Sequence, residues 1–176
     1  VLRAKRVSDA RPVILKVLHR DVATPATVER YQHEFAILEY LRERATHSCV
    51  VQAVSLESVQ SAPMLVLEDF GARSLAELHR SARVEIDELL RLALRLSDSL
   101  AWVHDQDIIH CDINPSNILF NPDTFELKIA DFDHSARADQ SHLIDRSAHR
   151  PEGTLAYISP EQTGRTNRSV DHRTDL

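Results

Sequence analysis

Apolar residues gather in two short runs near the start of the chain, residues 1–7 and 11–18, with Ser8-Asp9-Ala10 between them, which predicts a β-hairpin. The second run, Pro12-Val13-Ile14-Leu15-Lys16-Val17-Leu18, carries one lysine among apolar neighbours. A lysine there either snorkels to water at the strand edge or, if buried, needs a partner. From Thr24-Pro25 the period changes. Thr is a good N-cap and Pro suits the first helical position, and Val28, Tyr31, Phe35, Leu38 and Leu41 recur at helical spacing to about Arg44. Glu34 falls at the edge of that apolar face. Residues 50–59 and 64–67 read as two strands around Gln60-Ser61-Ala62-Pro63. A short helix is expected over 74–82 and a long one over 87–104. In the latter, Leu89, Leu90, Ala93, Leu96, Leu100 and Val103 form a wide stripe suited to a buried central helix.

The densest chemistry lies in residues 108–133, reading IIHCDINPSNILFNPDTFELKIADFD. Asp112 and Asn117 stand five residues apart on one predicted loop, followed by an apolar strand over 118–120, a turn at Asn121-Pro122-Asp123, and a return strand that ends at Asp131. Two short strands thus bring three oxygen-bearing side chains to one place, a donor set that suits Mg²⁺ and bound phosphates. Residues 135–152 are polar, rich in histidine and without periodicity, which predicts a loop. His134, His142 and His149 have no common metal-ligand spacing.

Composition narrows the classes. With 176 residues, 43% of them hydrophobic, the chain can bury a core. A net charge of −6 and the absence of a long basic run argue against nucleic acid or an anionic membrane as the main partner. Cys49 and Cys111 are isolated, as in a reducing compartment, and no apolar run approaches a membrane span, so a cytoplasmic location is expected. A start at Val1 and an end at Leu176 in mid-pattern suggest an excerpt of a longer protein.

The order His110-x-Asp112-x₄-Asn117, then Asp131-Phe132 after a hairpin, resembles the catalytic loop and metal motif of protein kinases. The resemblance runs along the whole chain. Val13-Ile14-Leu15-Lys16 is similar to the strand that carries the phosphate-contacting lysine, Glu34 to its helical partner, Glu68-Asp69-Phe70-Gly71 to the interlobe hinge with Leu67 as gatekeeper, and 153–161 to the end of an activation segment. More narrowly, HCDINPSNILFN with GTLAYISPEQTGRTNRSVDHRTDL resembles the serine/threonine-kinase-like domain at the head of large bacterial multidomain signalling proteins.

The fold so implied is α+β and bilobal, truncated at both ends, with the glycine-rich lid and the late helices of the second lobe missing. Residues 1–67 would form the first lobe, 68–71 the hinge and 72–176 part of the second lobe. The function implied is transfer of the ATP γ-phosphoryl group to Ser or Thr hydroxyls of a protein substrate, or of downstream modules of the same chain. Asp112 would be the base, Asn117 and Asp131 the Mg²⁺ ligands, Lys16 the phosphate contact and Glu34 its partner. Glu68 and Phe70 would meet adenine, Val1 would pack over the base, and Asp175 would steady the catalytic loop from below.

Three positions depart from the family pattern: Cys111 replaces an arginine, Asn114 a phosphate-contacting lysine, and Asp133 the glycine of the metal motif. Without that arginine, activity is expected not to require phosphorylation at Ser135, Ser141 or Ser147. The departures also keep a pseudokinase or scaffold reading open, and a small-molecule phosphotransferase shares the HxDxxxxN loop.

Overall fold

The computed structural model describes residues 1–45, 49–59, 62–81, 85–138, 156–163, 165–166 and 168–176. The expected loop beyond residue 138, with Ser141, His142, Ser147 and His149, lies outside the described residues, as do Gly153, Thr154 and Leu155.

Strands β1 (Leu2–Lys5), β2 (Pro12–Val17), β3 (Ala53–Val59) and β4 (Ala62–Glu68) form an antiparallel sheet in the order β1-β2-β4-β3. β2 is therefore bonded on both sides, and Lys16 lies opposite Leu65 of β4. The strand expected over 50–59 is shorter than its apolar run. Val50 instead makes an isolated parallel bridge to Ile129, and the register of β3 shifts between Ala53 and Ser55. That bridge, with Val51 N–H donating to Ile129 O and Ile129 N–H donating to Cys49 O, ties the segment before β3 to the chain at Ile129.

Helix α1 (Pro25–Arg44) begins where the capping chemistry requires. The Thr24 hydroxyl accepts from Thr27 N–H, the Thr27 side chain accepts from Thr24 N–H, and Pro25 follows the cap. Its buried stripe is Glu34, Ile37, Leu38 and Leu41, so the helix is turned relative to the expected face. Val28, Tyr31 and Phe35 are only half-buried, while Glu34 sits inside at 1% exposure rather than at an edge. The cause is a charged partner on the sheet beneath it.

The second region contains β5 (Arg73–Ser74), α2 (Leu75–Ser81), α3 (Ile86–Asp105), β6 (Ile108–Ile109), β7 (Ile118–Asn121), β8 (Glu126–Ile129) and β9 (Ala136–Arg137). β5, β7 and β8 form one small sheet, and β6 pairs with β9. The segment after β4 is fixed to both regions. Arg3 of β1 pairs with Asp69 at 2.7 Å and donates to Ala72 O, and Asn121 of β7 donates to Phe70 O at 2.6 Å. Gly71 has φ +77°, and a Cβ there would come within 3.1 Å of Asn121 Nδ2, so both conformation and space favour glycine.

One core runs through the described residues, from Leu38, Leu41 and Leu65 to Val103, Ile108, Ile118, Phe120, Ile129 and Phe132. Each fully buried aliphatic or aromatic side chain contributes about 1.5–3 kcal/mol by leaving water. α3 joins it through one narrow face. Leu92, Leu100 and Val103 are buried, but Leu89, Leu90 and Ala93 are exposed, contrary to the expectation of a helix buried along its length. With Ile86 and Leu94, the exposed leucines make an apolar face that none of the described residues covers. The isolated 176 residues should therefore bind a dye such as ANS and aggregate on heating, and the double change Leu90→Glu and Leu94→Glu should reduce both. Weak dye binding by the unmodified chain would contradict this.

Candidate functional site

Two clusters of side chains converge at the junction of the regions. In the first, Lys16 Nζ of β2 lies 2.7 Å from Glu34 Oε2 of α1 and 2.6 Å from Asp131 Oδ1, just beyond β8. Sequence separations of 18 and 115 residues close onto a single ammonium.

Burial pulls the Lys16 ammonium down, but Glu34 and Asp131 outweigh it and hold it above its ordinary range. Glu34 is the deepest member; burial raises it to about 7, with Asp131 and Asp133 adding repulsion and Lys16 opposing. The Lys16 direction is set by its two carboxylates, and the Glu34 direction chiefly by burial, so the most buried carboxyl gains proton affinity.

The second cluster is the loop after β6. Asn117 Nδ2 donates to Asp112 O and to Asp112 Oδ2, each at 2.9 Å, so the two predicted residues are locked together. Asn114 donates to Asp112 O and accepts from Ser116 N–H. It is buried, so its side chain builds the loop instead of reaching toward a phosphate, where the family pattern has a lysine.

His110 joins the clusters. Its Nε2 lies 3.0 Å from Ala130 O, which can only accept, so Nε2 carries the proton and Nδ1 accepts from Asp112 N–H at 3.3 Å. Burial lowers its pKa, which favours this neutral form. The ring also packs edge-on against buried Phe132 at 4.6 Å. The loop is braced from below by Asp175, whose Oδ2 accepts from His110 N–H and whose Oδ1 accepts from Cys111 N–H, at 2.9 and 2.8 Å. His104 Nε2 of α3 lies 2.8 Å from the same carboxylate. Cys111 and Asp131 both have left-handed backbone, φ +66° and +69°, a costly conformation that persists only where surrounding bonds hold it.

Asp133 does not occupy a left-handed position, so the backbone adopted here does not call for glycine. Its carboxyl is raised by burial and by Asp131, with His134 3.6 Å away. Ser135 Oγ donates to Phe132 O and the side chain is buried, so this serine is spent on the loop. The carbonyl of Ser135 meets His33 Nε2 of α1 at 2.8 Å.

At the end of β4, Glu68 turns inward. Its Oε1 accepts from Gln52 N–H at 2.9 Å and pairs with Lys128 at 2.6 Å, and Lys128 Nζ stands 4.7 Å from the centre of the Phe70 ring. Glu68 and Phe70 are thus brought together through a lysine that the sequence reading passed over. The signal was present: like Lys16, Lys128 stands alone in an apolar run, Leu127-Lys128-Ile129. Val1, by contrast, is left 86% exposed at the chain end.

Oxygen donors predominate at the junction, as a hard divalent cation requires. Asn117 commits its amide nitrogen to Asp112, which leaves its carbonyl oxygen as the donor atom. Asp131 spends one oxygen on Lys16 while its side chain keeps 38% exposure. These oxygens are of the kind a hard divalent cation takes, but among the described residues no three His, Cys, Asp or Glu side chains are gathered as a ligand set.

The Glu34 shift has a pH consequence. A carboxyl raised from 4.5 to about 7 on folding adds stability that is complete below about pH 4.5 and lost as pH rises through 7. The stability of the unmodified protein minus that of Glu34→Gln should therefore fall across this window by on the order of 3 kcal/mol. Urea titrations at a series of pH values read it, and a difference that stays flat or grows with pH would contradict it.

The chain matches the model of the protein kinase domain over residues 1–176. It is 30% identical over 192 aligned residues to the serine/threonine-protein kinase pkn2 of Myxococcus xanthus, an alignment that covers all of this chain and 21% of that protein. It is 27% identical over 175 residues to serine/threonine-protein kinase A of Synechocystis, covering 93% of the chain and 33% of the relative. To the human serine/threonine-protein kinase ULK3 it is 26% identical over 182 residues, covering the whole chain and 36% of the relative. The chain thus spans 21 to 36% of the length of these relatives.

Proposed function

Since the chain belongs to the protein kinase domain family, we propose that it transfers the γ-phosphoryl group of ATP to Ser or Thr hydroxyls of protein substrates. The observation that supports this most is the ammonium of Lys16 shared by Glu34 and Asp131 at 2.7 and 2.6 Å, beside the locked Asp112–Asn117 pair.

Each role follows from that arrangement. Glu34 is buried and points the Lys16 ammonium out of the core, so Lys16 meets the ATP phosphates as a fixed charge that costs little reorganisation. Asp131 and Asn117 would hold magnesium, which supplies neutralisation of the charge on the phosphates. Asp112, held by Asn117, orients the acceptor hydroxyl and takes its proton. At the hinge, the Phe70 carbonyl is already used by Asn121, which leaves its N–H for adenine, and the inward pull of Lys128 on Glu68 sets the course of the backbone there. Val1 would cover the base. Among the described residues no helix is long and apolar enough to cross a membrane.

Phosphate transfer from radiolabelled ATP to pools of Ser/Thr and Tyr peptides tests the reading. Transfer to the Ser/Thr pool should require Mg²⁺. Lys16→Met should lower kcat/KM by roughly 100-fold or more, Asp112→Asn should lower kcat by about 10²–10⁴-fold, and Asp131→Asn should remove the response to Mg²⁺. If the unmodified protein transfers nothing, or if Asp112→Asn matches it, the proposal fails.

A further inference from the structure

We propose that Gln162 is a positioning residue for Asp112, one that docks the Ser159-Pro160-Glu161 turn onto the catalytic loop through a neutral amide; this rests on the kinase reading above. Gln162 Nε2 donates to Cys111 O at 2.6 Å. Its Oε1 accepts from Ser159 N–H and lies within hydrogen-bonding reach of Ser159 Oγ, both at 3.1 Å. The two ends of one side chain thus connect two segments 51 residues apart.

What Gln162 holds is the peptide group between Cys111 and Asp112. A peptide is planar, so fixing its oxygen and its nitrogen fixes its orientation. Here the oxygen is held by Gln162 and the nitrogen by His110 Nδ1, at 2.6 and 3.3 Å. On the other side of the same left-handed Cα, Cys111 N–H is held by Asp175 at 2.8 Å. Without the Gln162 bond the Cys111–Asp112 peptide could relax from this conformation, and the Asp112 side chain would turn with it. The same turn also braces Asp175: Thr174 Oγ1, one residue away, donates to Glu161 Oε1 at 3.0 Å. The acceptor-facing segment and the base are therefore fixed as one unit, and no charge at residue 111 is needed.

Two substitutions divide the amide. Gln162→Glu keeps the acceptor for Ser159 but has no donor for Cys111 O, whereas Gln162→Lys keeps a donor and loses the acceptor. In the protein as its gene encodes it, Gln162→Glu should lower kcat at least tenfold with KM for ATP within twofold of the unmodified value. Gln162→Met, neutral and lacking both groups, should match it, and Gln162→Lys should restore most of the rate. Hydrogen–deuterium exchange of peptide 109–117 gives a second reading that needs no turnover: faster in Glu and Met, near the unmodified rate in Lys. A Glu variant with unmodified kcat and exchange, or Glu and Lys variants impaired equally, would overturn the inference. If the unmodified protein transfers no phosphate, the kinase reading falls, and the exchange order alone decides the role of Gln162.

Discussion

Lys16 is the constraint around which the junction is arranged. A single ammonium, half-buried on a central strand, must be compensated, and the compensation comes from a helix on one side and from the end of β8 on the other. Glu34 is buried for that reason, which turns α1 away from its most apolar face, and Asp131 is held in a left-handed conformation facing the lysine. A buried ion pair of this kind is weak evidence of stability, since desolvation offsets much of the attraction. It has more value as a poised arrangement: an excess of carboxylate around one cation invites a second positive charge.

Beneath the charged cluster lies a set of neutral and single-acceptor bonds that makes the loop rigid. His110 is buried, carries its proton on Nε2, and links Asp112 to the strand end before Asp131. Asp175 gathers two backbone donors and a histidine, and Gln162 closes the remaining side of the Cys111 peptide. Most of this scaffolding is backbone-directed, so its cost is met by satisfying buried N–H and C=O groups rather than by pairing charges. That is how a cysteine can stand before Asp112.

The part of the candidate site that is legible in the sequence is the part that is local. Asp112, Asn117 and Asp131 are set by one loop and one hairpin, and the start of α1 at Thr24-Pro25 is written in capping chemistry. What was not legible depends on tertiary choice. The apolar pattern of α1 placed Glu34 at an edge, because no periodicity can weigh the pull of a lysine 18 residues away. The leucines of α3 read as a buried stripe, yet Leu89 and Leu90 face outward, since a pattern shows which face is apolar and not whether a partner covers it. Lys128 gave the same signal as Lys16 and was passed over. Gln162 gave none, since a glutamine after a Ser-Pro-Glu turn is unremarkable until its two ends are seen bonded.

If the chain binds ATP and magnesium as proposed, the Lys16–Asp131 pair at 2.6 Å is a resting pair that must separate when nucleotide enters. A crystal structure of the protein with Mg²⁺ and a non-hydrolysable ATP analogue tests it most directly. Lys16 should then keep Glu34 and gain phosphate oxygens while Asp131 leaves it for the metal. An intact Lys16–Asp131 pair at saturating analogue, or a junction with no nucleotide in it, would contradict the account.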